Sequence, residues 1–350
     1  MKAKPHETIA GSHAAVRPDE RNAMTALWIT WEKQRRNHSM SLQTQARLYE
    51  LSYPSKHRLL RYINLGLATL KIIAREKPSV VFYQNPSIAL AALVTAYKKI
   101  TAQQFSLVGD FHNAGVFPPV GQRLARWIAK NSDLVIVTNS SLQSVVEGWG
   151  AKSISIPDPI PDLPLHHQQA GESECKTYSV LFICSWAEDE PIAEVISAAR
   201  KILEANPDTP IGVRITGRPQ LQRFVPDGKI PSNVELTGYL SDEDFEHELN
   251  RADAILDLTT RDNCMVCGAY EGVAVEKPMI LSGNEATKNY FNKGVLFTDN
   301  TDDDLALKLT ALLKNHAQLS QDIKTLKSEL LQRQSHSFAD LQAHFAKQAH

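Results

Sequence analysis

Cysteine is too scarce here to build a framework. The 350 residues hold four, Cys175, Cys184, Cys264 and Cys267, too few for a disulfide scaffold and in keeping with a reducing cytoplasm. Cys264-Met-Val-Cys267 has no second pair to complete a zinc site. We read its thiols as packing groups, and no metal is expected. No apolar run is long enough to cross a bilayer. Residues 1–22 lack the apolar stretch of a signal peptide and read as a polar, disordered tail. No Gly-x-Gly-x-x-Gly follows the first strand, which removes the dinucleotide fingerprint. Internal repeats and low-complexity tracts are missing too.

What is there is alternation. Short apolar strands, such as Thr25–Thr30, Val80–Gln84 and Ile211–Thr216, alternate with helical segments on both sides of a proline-rich break at 157–164. That pattern predicts two doubly wound, Rossmann-like α/β domains. We place them at 23–160 and 178–330, with a linker at 161–177 and a terminal helix at 331–350. Charge divides along the same line. Residues 1–160 carry 20 Lys/Arg against 10 Asp/Glu, and the remainder 18 against 29. The basic half suits an anionic partner.

Residues 56–76 predict one long amphipathic helix, with Leu59, Leu60, Ile63, Leu67, Leu70 and Ile73 at helical period. Lys56, His57, Arg58 and Arg61 crowd its first turns, the wrong end for the helix dipole. Two readings stand: a core-facing helix with a wet basic end, or a helix that touches anionic lipid.

Candidate site residues gather where strands end, since ligands of parallel sheets bind there. After the first strand, Arg35 and Arg36 offer phosphate contacts, and Glu32 or His38 a base. After the strand at 104–109 comes Asp110-Phe-His-Asn-Ala-Gly115, whose Asp110 and His112 form a candidate acid–base pair. In the second half, Arg218 follows a strand and Tyr239 offers a ring face for a nucleobase. The segment 254–283 reads as strand, polar loop, helix from Cys264 to Val275, strand. Cys264, Cys267, Gly268 and Glu271 then share one helix face. The helix start suits a diphosphate, and Glu271 the hydroxyls of a ribose.

These segments resemble a known group. Glu271-Gly-Val-Ala-Val-Glu-Lys-Pro is similar to a segment of the GT-B glycosyltransferases of family 4, in which that Glu binds the ribose of a sugar nucleotide. The family carries a further Glu at the place of Asn263 here, and an Arg and a Lys near 185–190 that this chain lacks. Asp110-Phe-His-Asn, Ser185-Trp-Ala-Glu-Asp-Glu190 and Thr216-Gly-Arg218 resemble segments of chitobiosyldiphosphodolichol β-mannosyltransferase. The resemblance implies a GT-B fold, its two domains facing a cleft, and a terminal helix returning to the first domain. It implies a metal-independent hexosyltransferase, without resident cofactor, using a UDP- or GDP-sugar and a lipid-linked or polysaccharide acceptor. The donor set becomes Arg218, Tyr239, Asn263, Cys267, Gly268 and Glu271. The catalytic set is His112, Asp110 and Glu32. Nucleic acid is not an expected partner, and the place expected is the cytoplasm, with peripheral contact at the inner membrane face left open. A sugar-nucleotide epimerase and a non-catalytic GT-B scaffold remain as alternatives.

Overall fold

In the computed structural model the chain divides into two units, residues 1–159 with 334–350, and residues 160–333. The structure describes residues 6–8, 25–55, 57–85, 87–101, 104–118, 121–165, 177–225, 228–262 and 264–346.

The first unit is built on strands β1 (His6–Thr8), β2 (Ala26–Thr30), β3 (Arg47–Ser52), β4 (Val80–Asn85), β5 (Ser106–Phe111), β6 (Leu134–Val137) and β7 (Ser153–Ser155), in the order β1-β3-β2-β4-β5-β6-β7. Six are parallel. β1 runs antiparallel on the edge, pairing Glu7 with Leu51; it falls in the stretch expected to be a tail. Every residue of β2, β4 and β6 is buried, as a parallel sheet covered on both faces requires. Alternation along the strands splits the core in two. Leu27, Ile29, Val81 and Tyr83 face helices α2 (Arg58–Glu76), α3 (Ile88–Thr101), α5 (Gln122–Lys130) and α6 (Ser140–Gly148). Trp28, Val80 and Phe82 face α1 (Arg35–Gln43) and the end of the last helix, where Phe345 meets Phe82 edge-on at 5.7 Å. The short α4 (Asn113–Val116) follows β5.

Helix α2 does not pack on the face its period suggests. Leu65, Thr69, Ile72 and Ile73 turn inward with Gly66, while Leu59, Leu60, Ile63 and Leu67 are 73, 51, 49 and 63 % exposed. The inner face is chosen by fit. Gly66 lets Leu93 of α3 come close, and Thr69 accepts the Trp31 indole N–H at 3.0 Å.

The second unit holds β8 (Tyr178–Phe182), β9 (Ile211–Thr216), β10 (Val234–Gly238), β11 (Ala254–Asp257), β12 (Met279–Ser282) and β13 (Val295–Thr298), in the order β10-β9-β8-β11-β12-β13. All pairs are parallel. Its switch point, where successive strands reverse direction across the sheet, lies between β8 and β11. In the first unit it lies between β2 and β4. Helices α7 (Ile192–Ala205), α8 (Leu221–Phe224), α9 (Asp242–Arg251), α10 (Cys267–Ala274) and α11 (Glu285–Tyr290) connect the strands.

The last helix, α12, runs unbroken over Asp302–Ala346, starting well before the terminal helix expected at 331–350. Neither Gly nor Pro occurs between 302 and 346, so nothing stops helical propagation. Its buried residues Leu305, Leu309, Leu312, Leu319, Ile323, Leu326 and Leu330 join the second unit's core, and Phe338, Leu341 and Phe345 the first unit's. Among the described residues no helix is long and apolar enough to cross a membrane.

Candidate active site

In the first unit the structure brings Asp110 and His112 together. Asp110, next to last in β5, has no exposure, and its Oδ2 lies 3.0 Å from His112 Nε2. Asp110 is held from its other side by Arg36, whose Nη2 donates to Oδ1 at 2.7 Å and whose Nε donates to both oxygens at 3.2 and 3.0 Å. Arg36 also donates to Asp158 at 2.5 Å and to the Ile156 carbonyl at 3.0 Å. It is 4 % exposed, so it is an internal counter-charge and not the phosphate grip its sequence position suggests. Burial alone would raise the Asp110 pKa, but Arg36 first and His112 second outweigh it and hold the group below the usual carboxylate range. For Arg36 burial works against the charge, and Asp110 with Asp158 more than restore it. A carboxylate only accepts hydrogen bonds, so His112 Nε2 carries the proton and Nδ1 is the ring nitrogen turned away from Asp110.

Glu32 does not join this pair. It is exposed, two strands from β5 in the sheet order, which is about 10 Å, and its carboxylate accepts from Gln34 Nε2 at 3.3 Å. His38 lies 3.3 Å from Glu50. Between β2 and β5 sits a polar knot that sequence reading missed. Thr30 Oγ1 donates to Gln84 Oε1 at 2.7 Å, Asn37 Nδ2 donates to the same oxygen at 3.1 Å, and Trp28 Nε1 donates to Asn37 Oδ1 at 3.0 Å. Next along β4, Asn85 is 1 % exposed, with neither side-chain amide atom hydrogen-bonded among the described residues. Its carbonyl accepts the His112 backbone N–H at 3.3 Å. Gln84-Asn85, two amides closing an apolar strand, was the signal available.

In the second unit Arg218 and Tyr239 come together. They follow the adjacent strands β9 and β10, and the guanidinium carbon lies 5.1 Å from the ring centroid. Tyr239 is 73 % exposed and Arg218 is exposed as well. A turn fixes their approach. Gly217 takes φ +85°, and a β-carbon there would lie 2.4 Å from the Cys184 carbonyl oxygen. Thr216 ties the same turn down: its Oγ1 accepts the Cys184 N–H at 3.0 Å, and its carbonyl accepts the Trp186 indole N–H at 2.8 Å. Trp186 is 1 % exposed, a core residue of the loop after β8.

That loop and the loop after β11 are stitched together at the switch point. Asp189 accepts from Thr259 Oγ1 and from Arg261 Nη2, each at 2.8 Å, and the Thr260 N–H donates to its carbonyl at 2.7 Å. Glu190 accepts the backbone N–H groups of Ser185 and Ala187 at 3.0 and 2.7 Å. Asp189 and Glu190 therefore shape the loop.

Helix α10 starts at Cys267, three residues later than expected, because the Cys264 carbonyl is taken by Asn284 Nδ2 at 3.0 Å. Cys264 thus precedes the helix instead of sharing its face, and Cys267 is exposed at its first turn. The Gly268 N–H, expected to meet a diphosphate, donates to Asp257 Oδ2 at 2.7 Å. Only a glycine allows this, since a β-carbon at 268 would sit 2.4 Å from that oxygen. Asp257 was missed; an acid closing the apolar strand Ala254–Asp257 was its signal. Burial raises its pKa well above the ordinary value, and Glu271, Glu190 and Asp189 add to the rise while the Gly268 N–H opposes it. Glu271 is 6 % exposed, one turn beyond Gly268 on the same face of α10. Asn263 lies outside the described residues. Among the described residues no group of three or more His, Cys, Asp or Glu is arranged to hold a metal ion.

No protein-family model matches the chain, and no curated protein matches it in sequence. Solved structures do match. HepE of Anabaena in complex with UDP-glucose superposes with a TM-score of 0.70 at 12 % identity, over 92 % of this chain and 100 % of that one. Sucrose-phosphate synthase from Thermosynechococcus elongatus gives 0.69 at 12 %, over 92 and 98 %. A protein of Listeria monocytogenes provisionally named a UDP-N-acetylglucosamine 2-epimerase gives 0.61 at 12 %, over 93 and 98 %. The chain has the GT-B fold. At such identities the likeness speaks for architecture alone.

Proposed function

We propose that the protein is a glycosyltransferase that moves a hexosyl group from a UDP- or GDP-sugar to a lipid-linked or polysaccharide acceptor. The observation that carries this reading is the Arg218–Tyr239 pair, an exposed cation resting on an exposed ring at the carboxyl ends of neighbouring parallel strands. A nucleobase stacks on such a ring and a diphosphate meets such a cation. Glu271, on the helix beyond the switch point, takes the ribose hydroxyls. HepE, of the same fold, has been crystallised with UDP-glucose.

The acceptor belongs to the first unit. His112 Nδ1 takes the proton of the acceptor hydroxyl as that oxygen attacks the anomeric carbon; the bond to the nucleoside diphosphate breaks, and its oxygen leaves with the electron pair. Asp110 holds the imidazole tautomer, and Arg36 keeps Asp110 ionised. Transfer runs without a metal, so chelation with EDTA leaves the rate unchanged. A second reading is favoured by the likeness to the Listeria protein: an epimerase, which releases an altered sugar with no acceptor. Incubation with UDP- and GDP-sugars, with and without a polyprenyl-diphosphate-sugar, separates the two. Nucleoside diphosphate released only with acceptor supports transfer. Epimerised sugar released without acceptor supports the second reading, and no turnover of any donor overturns both.

A further inference from the structure

The carboxyl edge of the first unit carries a second group of side chains, apart from Asp110 and His112. Helix α2 leaves β3 at that edge and runs back along the sheet, so its first turns stand at the edge itself. At 100° per residue Arg58, Arg61 and Tyr62 all fall within about 60° of the buried Leu65, on the face it shares with the buried Thr69 and Ile72. The inward face of α2 therefore changes character along its length. It is apolar from Leu65 onward, and cationic and aromatic before it. Trp31, the residue after β2, completes the group. Its indole N–H is tied to Thr69 at 3.0 Å, and its ring lies 6.0 Å from that of Tyr62.

The two arginines converge. The Arg61 guanidinium carbon is 5.3 Å from the centre of the Tyr62 ring. Hydrogen bonding from Arg61 first, and from Arg58 second, holds the Tyr62 phenol below its ordinary pKa against the effect of burial. Both guanidiniums thus turn toward one phenol oxygen. Neither makes an ion pair with an acid among the described residues. The first turn of α2 holds no acid, and Glu32, beside Trp31, is exposed and accepts from Gln34. Local forces oppose this arrangement. Two cations three residues apart on one helix face repel, and a helix N-terminus disfavours each of them. An oxyanion between the two guanidiniums answers both charges, because each presents paired N–H donors that match the oxygens of a phosphate or a carboxylate. The Tyr62 and Trp31 rings offer apolar surface beside it. β2 and β5 lie two strands apart in the sheet order, about 10 Å, so the group held here is not the one that reacts at His112.

We propose that Arg58, Arg61 and Tyr62 form an anion subsite in the first unit, and that it takes a phosphate or carboxylate carried by the acceptor away from the hydroxyl that reacts. The subsite stands without sugar transfer; its assignment to the acceptor rests on that reading. Binding is therefore measured apart from catalysis. The full chain carrying Arg218→Gln, which lacks the diphosphate contact proposed for the second unit, is titrated calorimetrically with inorganic pyrophosphate, with glucuronate and with glucose. At least one of the two anions binds saturably in the millimolar range, and glucose does not. Adding R58Q/R61Q weakens that binding about tenfold or more. R58K/R61K keeps the charge without the paired donors and weakens it less. Preference for pyrophosphate assigns a phosphate-bearing acceptor, preference for glucuronate a uronate-bearing one. Arg58 and Arg61 are exposed, so the melting temperatures stay near that of the parent. In transfer assays on the chain with Arg218 intact, R58Q/R61Q raises the KM for acceptor and leaves that for donor unchanged. No saturable binding of either anion overturns the subsite, and so does binding that R58Q/R61Q leaves unchanged. A rise confined to the donor KM overturns the assignment to the acceptor.

Discussion

Arg36 and Asp110, 74 residues apart in sequence, meet side-on, Nη2 2.7 Å from Oδ1, where neither side chain is more than 2 % exposed. The pair explains why an ionised carboxylate survives at the buried end of β5. Removing one member leaves the other charged and unpaired in the interior, at a cost of about 3–5 kcal/mol. Asp110→Asn therefore lowers the first unit's stability by that order in urea titrations at pH 7. The sign with pH follows from the depressed pKa. Stability from Asp110 is fully present above its unfolded value of about 4 and fades as pH falls further, through the folded value. The parent chain loses this contribution below about pH 4. The variant has already lost it, so its acid limb is flatter.

His112 is a different matter, because its ring is only part-buried and Arg36 keeps Asp110 paired without it. His112→Ala leaves the melting temperature nearly unchanged and lowers kcat about 10²–10⁴-fold, the usual worth of a positioned base. Steady-state kinetics beside a thermal melt of the same preparation checks both halves.

Asp257 carries the opposite sign to Asp110. Its folded pKa is raised, so its contribution is full below the unfolded value of about 4 and is lost as pH rises toward the folded value. Asp257→Asn keeps an oxygen for the Gly268 N–H and removes the charge that faces Glu271, Glu190 and Asp189. The variant melts higher than the parent at pH 8, by roughly 2–4 °C for each kcal/mol relieved, and the gap closes toward pH 4. Differential scanning calorimetry across that range measures it.

At the turn after β9, Gly217→Ala meets both a positive φ and the Cys184 carbonyl at 2.4 Å. It costs about 1–2 kcal/mol from the backbone alone, more with the clash, and misplaces Arg218. Tyr239→Ala, by contrast, touches an exposed ring and leaves stability alone. It weakens nucleotide binding about tenfold, in line with roughly 1–3 kcal/mol for a stacked base. Calorimetric titration with UDP and GDP distinguishes the two variants.

Strand after strand was legible, because a parallel sheet buries both faces of runs such as Val80–Tyr83, which therefore read as short, continuous apolar segments. The helix faces were less so. Periodicity shows that α2 is a helix with a leucine stripe, but not which side meets the sheet; Gly66 and Thr69, small enough for α3 and Trp31 to approach, decided that. The length of α12 was readable from its missing Gly and Pro. In the candidate site, His112 and Asp110 are neighbours as their shared loop suggested, whereas the contact of Arg218 with Tyr239 depends on β9 and β10 lying side by side, which neither loop reveals alone. Arg36 misled because its partner Asp110 lies in β5, three strands further along the chain. Asp257 stayed hidden because a buried acid's role depends on which N–H the fold brings to it.

We propose that the second unit holds a nucleotide sugar at Arg218, Tyr239 and Glu271. Isothermal titration of the full chain with UDP-glucose and GDP-mannose, repeated on Glu271→Ala, tests it most directly. One donor binds saturably, and replacing Glu271 weakens it tenfold or more, about 1.4 kcal/mol. Binding that Glu271→Ala leaves untouched, or no binding of either donor at millimolar concentration, would contradict it.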